Sequence, residues 1–356
     1  NWRWIFFINI VPGLAVTALA IRFLRVDRAD PAMLRRIDWL HLLAMAVFLG
    51  GLQYVLEEGP RLDWFGDSTI MISAWVSLVA FVLFLERTFF SATPIIKLTP
   101  FRRPSFVFAC VFNLVIGFGM FASTYLIPVF LGRVAGFNSL QIGTTVFVVG
   151  LAQIVSTMIA APLSQKIDSR FIIAVGLPLF AFSLWLTSQV TSQWGFAEFL
   201  VPQLLRGLSL MLCIVPSVSL ALAGFGGVEL RYASGLFNLM RPLGGAIGIA
   251  LVNTALQDNT RVAMARFGET LGHSARVFND AIAGMTQRLA TVTPDPAQAL
   301  LEAQGIITRS ISRQAVTVAF DDVFRVMCWM FVAAMLMVPF AKRSSGNVKP
   351  SPADSH

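Results

Sequence analysis

Residues 105–131 read SFVFACVFNLVIGFGMFASTYLIPVFL, twenty-seven positions without one Asp, Glu, Lys, Arg or His. Arg102 and Arg103 precede the stretch and Arg133 follows it. As an α-helix it extends roughly 40 Å at about 1.5 Å per residue, more than the ~30 Å hydrocarbon core of a bilayer. Backbone groups in lipid must bond within their own segment, and only a helix or a closed barrel achieves that. The block is continuously apolar and lacks the polar alternation of a barrel wall, so the reading is a transmembrane helix.

Eight further stretches are mostly apolar over a similar length, though several hold one or more ionisable residues: 4–24, 39–57, 69–86, 141–163, 171–190, 197–223, 233–257 and 319–341. Together they predict an all-α integral membrane protein of about nine transmembrane helices. Composition agrees, since 56% of residues are hydrophobic and 13% are charged. A soluble domain carries about 25% charge. Pro12, Pro128, Pro162, Pro178, Pro202, Pro216 and Pro242 fall in or near these spans, where neighbouring helices satisfy the backbone groups that proline frees. Gly117, Gly119, Gly244, Gly245 and Gly248 suit close helix contacts.

The net charge of +8 invites a nucleic-acid reading, but the basic residues lie between apolar blocks and form no patch with interleaved aromatics. Cys110, Cys213 and Cys328 stand far apart inside apolar segments and read as core residues. His41, His273 and His356 show no metal-ligand spacing. No metal and no cofactor is expected.

Short-loop lysines and arginines set orientation. One series of connections holds Arg25, Arg28, Arg35, Arg36, Arg87, Lys97, Arg102, Arg103, Lys166, Arg170, Arg231, Lys342, Arg343 and Lys349. The other holds Arg3, Arg61 and Arg133. Fourteen against three places the amino end outside and the carboxyl end in the cytoplasm. The long loop from about Asp258 to Thr317 then faces outside. Its apolar residues recur at helical spacing (Val277, Ala281, Met285, Leu289, then Ile307, Ile311) on either side of Thr293-Pro294-Asp295-Pro296. The expectation is two amphipathic helices joined at the prolines and projecting as a hairpin; the alternative is a loop lying on the lipid surface. The polar tail 342–356 reads as disordered. The chain opens on Asn1 rather than Met, and the expectation is that an N-terminal portion precedes it.

Ionisable groups inside spans are costly and count as functional candidates. Arg206 lies mid-segment, with a structural pairing role and a substrate-contact role equally open. Arg241, nearer a span end, either snorkels or serves function. Asp321 and Asp322 open the last span, either as helix N-caps or as an outward-facing proton relay. The polar residues Gln53, Asn113, Tyr125 and Gln153, with Phe118, Met120, Phe121 and Phe147, either bond between helices or line an amphipathic cavity. The sequence contains no Walker A loop, GxSxG, HExxH or CxxC, so ATP hydrolysis and common hydrolytic or redox chemistry have no support.

At this level of detail the chain resembles a known family. Asn1-Trp2-Arg3-Trp4-Ile5-Phe6-Phe7-Ile8-Asn9 with Pro12-Gly13, and Gly50-Gly51-Leu52-Gln53-Tyr54-Val55-Leu56-Glu57-Glu58-Gly59 with Asp63-Trp64-Phe65, resemble spans six and seven of the fourteen-helix drug:proton antiporters of the major facilitator superfamily, the EmrB/QacA type. Pro162-Leu163-Ser164-Gln165-Lys166-Ile167-Asp168-Ser169-Arg170 is similar to a degenerate form of the superfamily's cytoplasmic gating loop, lacking its usual glycine and second arginine. Pro202-Gln203 with Arg206-Gly207, and Asp321-Asp322-Val323-Phe324, also fit the family pattern.

The resemblance implies a partial major facilitator fold entered at span six, with nine spans remaining. Residues 1–24 would close the N-terminal bundle. Residues 25–100 would hold a cytoplasmic linker and two inserted helices, and 101–341 a six-helix C-terminal bundle with the outer hairpin 258–318. The implied activity is proton-gradient-driven efflux of hydrophobic or amphipathic toxic compounds from the bacterial inner membrane. Implied partners are the lipid bilayer, a periplasmic adaptor and an outer-membrane channel docking through 258–318, with no nucleic acid. In that picture Arg206 is a cavity or gate residue, and Lys166, Asp168 and Arg170 form the cytoplasmic latch. Two other readings stand beside it: a non-transporting fragment of such a transporter, and a membrane-embedded lipid enzyme.

Overall fold

The computed structural model describes residues 3–23, 38–62, 64–91, 96–273, 275–289 and 295–340. The basic stretch 25–36, Asp63, Thr293-Pro294 and the tail 342–356 lie outside the described residues. Those that are described form eleven α-helices: α1 Trp4–Phe7, α2 Ile10–Phe23, α3 Trp39–Glu58, α4 Ser68–Phe90, α5 Pro104–Arg133, α6 Ser139–Lys166, α7 Ser169–Thr187, α8 Phe196–Leu222, α9 Gly227–His273, α10 Ala275–Leu289 and α11 Pro296–Met337.

Polar residues between the apolar blocks start these helices by satisfying first-turn N–H groups. Asp67 accepts from the amides of Thr69 and Ile70 at 2.7 and 3.3 Å. Asn138 and Gln141 form a reciprocal capping box at the head of α6. Glu198 reaches back to the Gly195 amide at 2.8 Å, and Asp295 accepts from Ala297 at 3.0 Å. Pro104 and Pro296 occupy first-turn positions, where the missing N–H costs nothing.

Helix α5 packs along α9 and touches α8 and α11; α8 lies between α6 and α7; α11 covers α7 and α9. Helices α3 and α4 pair with each other and join the rest where α3 meets α9. Lipid is as apolar as a leucine side chain, so close packing holds such helices together more than water expulsion does. The backbones accordingly touch. A Cβ on Gly117 would collide with the Arg241 carbonyl oxygen, one on Gly244 with the Leu114 carbonyl, and one on Gly207 would lie 2.6 Å from the Val149 carbonyl.

Side-chain contacts separate two ends of this bundle. At one end the Arg103 guanidinium sits 4.1 Å over the Phe225 ring and donates to the Gly224 carbonyl, and Lys97 lies 5.6 Å from the Tyr232 ring. At the other, Phe130 meets Phe199 and Phe320 at 6.0 and 5.2 Å between centroids, and Arg313 donates to the Ser192 carbonyl at 2.9 Å. The first end carries the described lysines and arginines of the longer basic series.

Seven helices are long and apolar enough to cross a membrane among the described residues: α3 to α8, and α9 over Glu229–Arg266. The remaining two expected spans fall short of that measure. The segment expected over 4–24 is divided by a turn at Ile8 and Asn9, leaving α2 with 14 residues and no buried side chain. That is roughly 21 Å of helix against a ~30 Å core. The last apolar stretch is helical but carries Asp321, Asp322 and Arg325.

The expected hairpin also changes form. Its first arm is a separate amphipathic helix as expected, α10, which holds Val277, Ala281, Met285 and Leu289 and follows an extension of α9 to His273. Its second arm is instead the leading part of α11, running unbroken into the last span. Good helix formers carry the helix through the polarity change, among them Ala263, Met264 and Ala265 on α9 and the Leu, Gln and Ala residues of 297–304 on α11. This overturns the capping expectation for Asp321 and Asp322. They lie in the interior of a 42-residue helix whose N-cap is Asp295.

Candidate functional site

Helix α8 carries a buried cation. Arg206 is 3% exposed and Gln203, one turn earlier, is 1% exposed. The sequence places them there because both lie on the face that Gly207 presses against Val149 and Ala152 of α6. Nε and Nη1 of Arg206, and both amide atoms of Gln203, find no hydrogen-bond partner among the described residues. A guanidinium taken out of water without a counter-ion is strongly disfavoured unless another group meets it. Asp321 presents a similar case on α11, where one carboxyl oxygen is buried without a partner among the described residues. Its neighbour Asp322 instead faces Arg325 at 3.7 Å.

Arg241 and Asn113 come together, although nothing in the sequence links them. The Arg241 Nε donates to the Asn113 Oδ1 at 3.0 Å, and the Asn113 amide donates to the Phe237 carbonyl at 2.7 Å. Asn113 is fully buried and Arg241 half-buried. This pair bonds α5 to α9 beside the Gly117 and Gly244 contacts. The other expected cavity residues are dispersed. Tyr125 and Gln153 are half-buried on α5 and α6, and Gln53 on α3 donates to Glu57 at 2.6 Å. Phe118 and Phe121 pack on Gly248 and Gly245, whereas Phe147 is 63% exposed on the bundle's outside.

The expected gating loop is a tight turn between α6 and α7. Ile167 ends α6, and Asp168 caps α7 by accepting from the Arg170 amide at 3.2 Å. The Arg170 Nε stands 4.0 Å from the same carboxylate, and Lys166 is exposed. Arg170 is otherwise under-satisfied, since Nε and Nη2 are buried without a hydrogen bond among the described residues.

Two features escaped the sequence reading. At the basic end, Asp38 accepts from the Ser91 hydroxyl at 2.7 Å and the His41 amide at 3.0 Å, with Arg87 3.9 Å away. The Ser91 bond, then the His41 bond, hold its carboxylate below the usual range. One turn inward, buried His41 lies 3.2 Å from the Thr88 hydroxyl. That hydroxyl donates to the Phe84 carbonyl, so the imidazole Nε2–H is the donor to Thr88. The second feature is an apolar cleft of about 380 Å³ between α3 and α4, walled by Leu43, Val47, Trp75, Val79 and Leu83. Its lining is almost wholly apolar, and Arg206 is not part of it.

Comparison with known proteins places this arrangement. The Major Facilitator Superfamily profile matches residues 1–249. The chain is 33% identical over 339 residues to the colistin resistance protein EmrB of Acinetobacter baumannii, covering 95% of this chain and 66% of that protein. It is 26% identical over 347 residues to the multidrug export protein EmrB of Escherichia coli, covering 97% and 66%. With the fatty acid resistance protein FarB of Neisseria gonorrhoeae the identity is 24% over 345 residues, covering 96% and 66%. The chain therefore spans 66% of the length of these curated relatives. An all-helical membrane bundle with backbone-close helix crossings and a profile match over most of its length leads to one assignment: the chain belongs to the Major Facilitator Superfamily, within its EmrB-type drug:proton antiporter family.

Proposed function

We propose that this chain works in proton-coupled export of hydrophobic or amphipathic toxic compounds, as the portion of such an exporter from span six onward. The observation that carries the reading is Arg206, a dehydrated guanidinium in the middle of an intramembrane helix with no carboxylate to meet it among the described residues. Such a group is costly where it stands, and an apolar replacement is neutral or stabilising, so its place is beside a pathway or a gate. The relatives' names span colistin, multiple drugs and fatty acids, which fits substrates that share amphipathicity rather than one shape.

In this reading the helices α5 to α9 and α11 form the C-terminal bundle, and α3 and α4 are the inserted pair. The bundle rocks against its N-terminal counterpart around a cavity that Arg206 borders. Asp321 takes the proton-relay role, and Lys166, Asp168 and Arg170 latch the cytoplasmic side. Asn113 and Arg241 bind α5 to α9 and position the gate rather than touch the substrate. Protonation drives the cycle only if the proton binds the inward- and outward-open states with different affinity. The basic end faces the cytoplasm by the distribution of lysine and arginine. The opposite face, with 258–318, serves as the docking surface for an adaptor and an outer-membrane channel.

The test is Arg206→Met in the full-length exporter. Removing a buried unpaired charge leaves thermal stability unchanged or raised by about 1–4 kcal/mol, and drug resistance is lost. Full resistance at wild-type expression would remove Arg206 from the mechanism and take away the reading's main support.

A further inference from the structure

At the end of the bundle opposite the Arg103 face, three guanidiniums line one recess. Arg133 ends α5, and Arg309 and Arg313 lie one turn apart on the leading part of α11. With Ser312 they wall a cavity of about 530 Å³ whose base is Val134, which is 2% exposed, and Val316. None of the three arginines forms an ion pair among the described residues. The sequence reinforces this, because neither 131–167 nor 303–320 contains an Asp or Glu. Arg313 is fixed in place by its bond to the Ser192 carbonyl at 2.9 Å.

Three like charges around one recess repel one another unless an anion enters. The guanidinium fork bonds phosphate oxygens two at a time, and such charge-assisted bonds are among the strongest available. Depth narrows the source. Arg133 is the last residue of a 30-residue apolar helix, so its guanidinium stands where hydrocarbon gives way to headgroups. At that level the abundant anion is the phosphodiester of a lipid. Apolar Val134 and Val316 next to the charges suit the glycerol and first methylenes beneath it. An acidic protein segment would need no apolar base at this depth.

We infer that Arg133, Arg309 and Arg313 form a binding site for the headgroup of an anionic phospholipid at the membrane boundary opposite the basic face. Bound there, the lipid ties the end of α5 to the projecting arm of α11. The site depends on the arginines and the recess alone, so it stands or falls apart from the transport reading.

The experiment uses the full-length protein in mild detergent, mixed with phosphatidylglycerol or phosphatidylcholine and read by native mass spectrometry for retained lipid. Wild type retains phosphatidylglycerol preferentially. The variant Arg133→Gln, Arg309→Gln, Arg313→Gln loses that preference by about tenfold or more. Arg61→Gln, an exposed arginine paired with Glu58, keeps it. Should the triple variant not fold, Arg309→Gln alone, exposed on its helix, reports a several-fold loss. Equal retention of the two lipids by wild type, or unchanged preference in the variants, overturns the inference. So does full occupancy by millimolar inorganic phosphate without lipid selectivity, which reassigns the site to a free anion. A triple variant that stops binding a polyglutamate peptide while its lipid retention stays intact likewise overturns it, in favour of a protein-docking surface.

Discussion

The Arg241 guanidinium and the Asn113 side chain meet at 3.0 Å across the α5–α9 contact, and Asn113 passes the connection on to the Phe237 carbonyl. Each partner satisfies a group that would otherwise be buried unpaired in a region without water. Asn113→Leu leaves the Arg241 Nε without its acceptor and removes the second bond to the Phe237 carbonyl, which keeps its place in the α9 ladder, at about 1–3 kcal/mol in all. The variant is expected to show a lower thermal midpoint in detergent. Asn113→Asp, which still accepts from Arg241 but cannot donate to Phe237, falls between wild type and the leucine variant.

The same crossing depends on missing side chains. Gly117→Ala or Gly244→Ala drives a methyl group into a backbone carbonyl of the facing helix, where nothing flexible can yield. Expression of folded protein, read by fluorescence-detected size exclusion, is expected to fall sharply. Gly235→Ala, on the same α9 with open space around it, is expected to be tolerated.

Arg103 combines a bond to the Gly224 carbonyl, stacking on Phe225 and a 3.4 Å approach to Glu229. Gly224 has a positive φ of 81°, so this turn depends on its carbonyl being held. A lysine reproduces the charge but neither the planar stack nor the fork. Arg103→Lys is therefore expected to lose most of what Arg103→Ala loses, measured as faster trypsin cleavage at Arg231. Exposure of the pair to solvent keeps the effect near about 1 kcal/mol.

The Asp38 carboxylate titrates below its ordinary value of 3.8 in the folded state, because of the Ser91 and His41 bonds. A depressed carboxylate contributes stability above its unfolded value and loses it as pH falls through the folded value. Protection of the His41 amide from hydrogen exchange is thus expected to stay constant from neutral pH down to about the ordinary carboxylate value. It drops only below that. Asp38→Ala abolishes the protection at every pH.

The spans were readable because each is a long, mostly apolar block and most are bounded by charged connections, and 105–131 falls inside α5 with two residues to spare at its far end. The ends of α9 and α11 were not readable in the same way. Polarity changes at Asp258 and again near Thr317, but helix propensity does not, so the helices run on where the lipid contact stops. The break at Asn9 went unseen because Trp4 to Phe23 is mostly apolar and hydropathy does not register a turn. Arg206 stood out as a charge in an apolar run. Its lack of a partner among the described residues, like the meeting of Asn113 with Arg241 over 128 positions, belongs to tertiary packing that spacing cannot encode.

Coupling to the proton gradient is tested most directly by reconstituting the full-length exporter in vesicles and following a fluorescent amphipathic dye under imposed gradients of either sign. Proton-coupled export predicts that reversing the gradient reverses net dye movement and that Arg206→Met moves none. Dye transport indifferent to the gradient would contradict it.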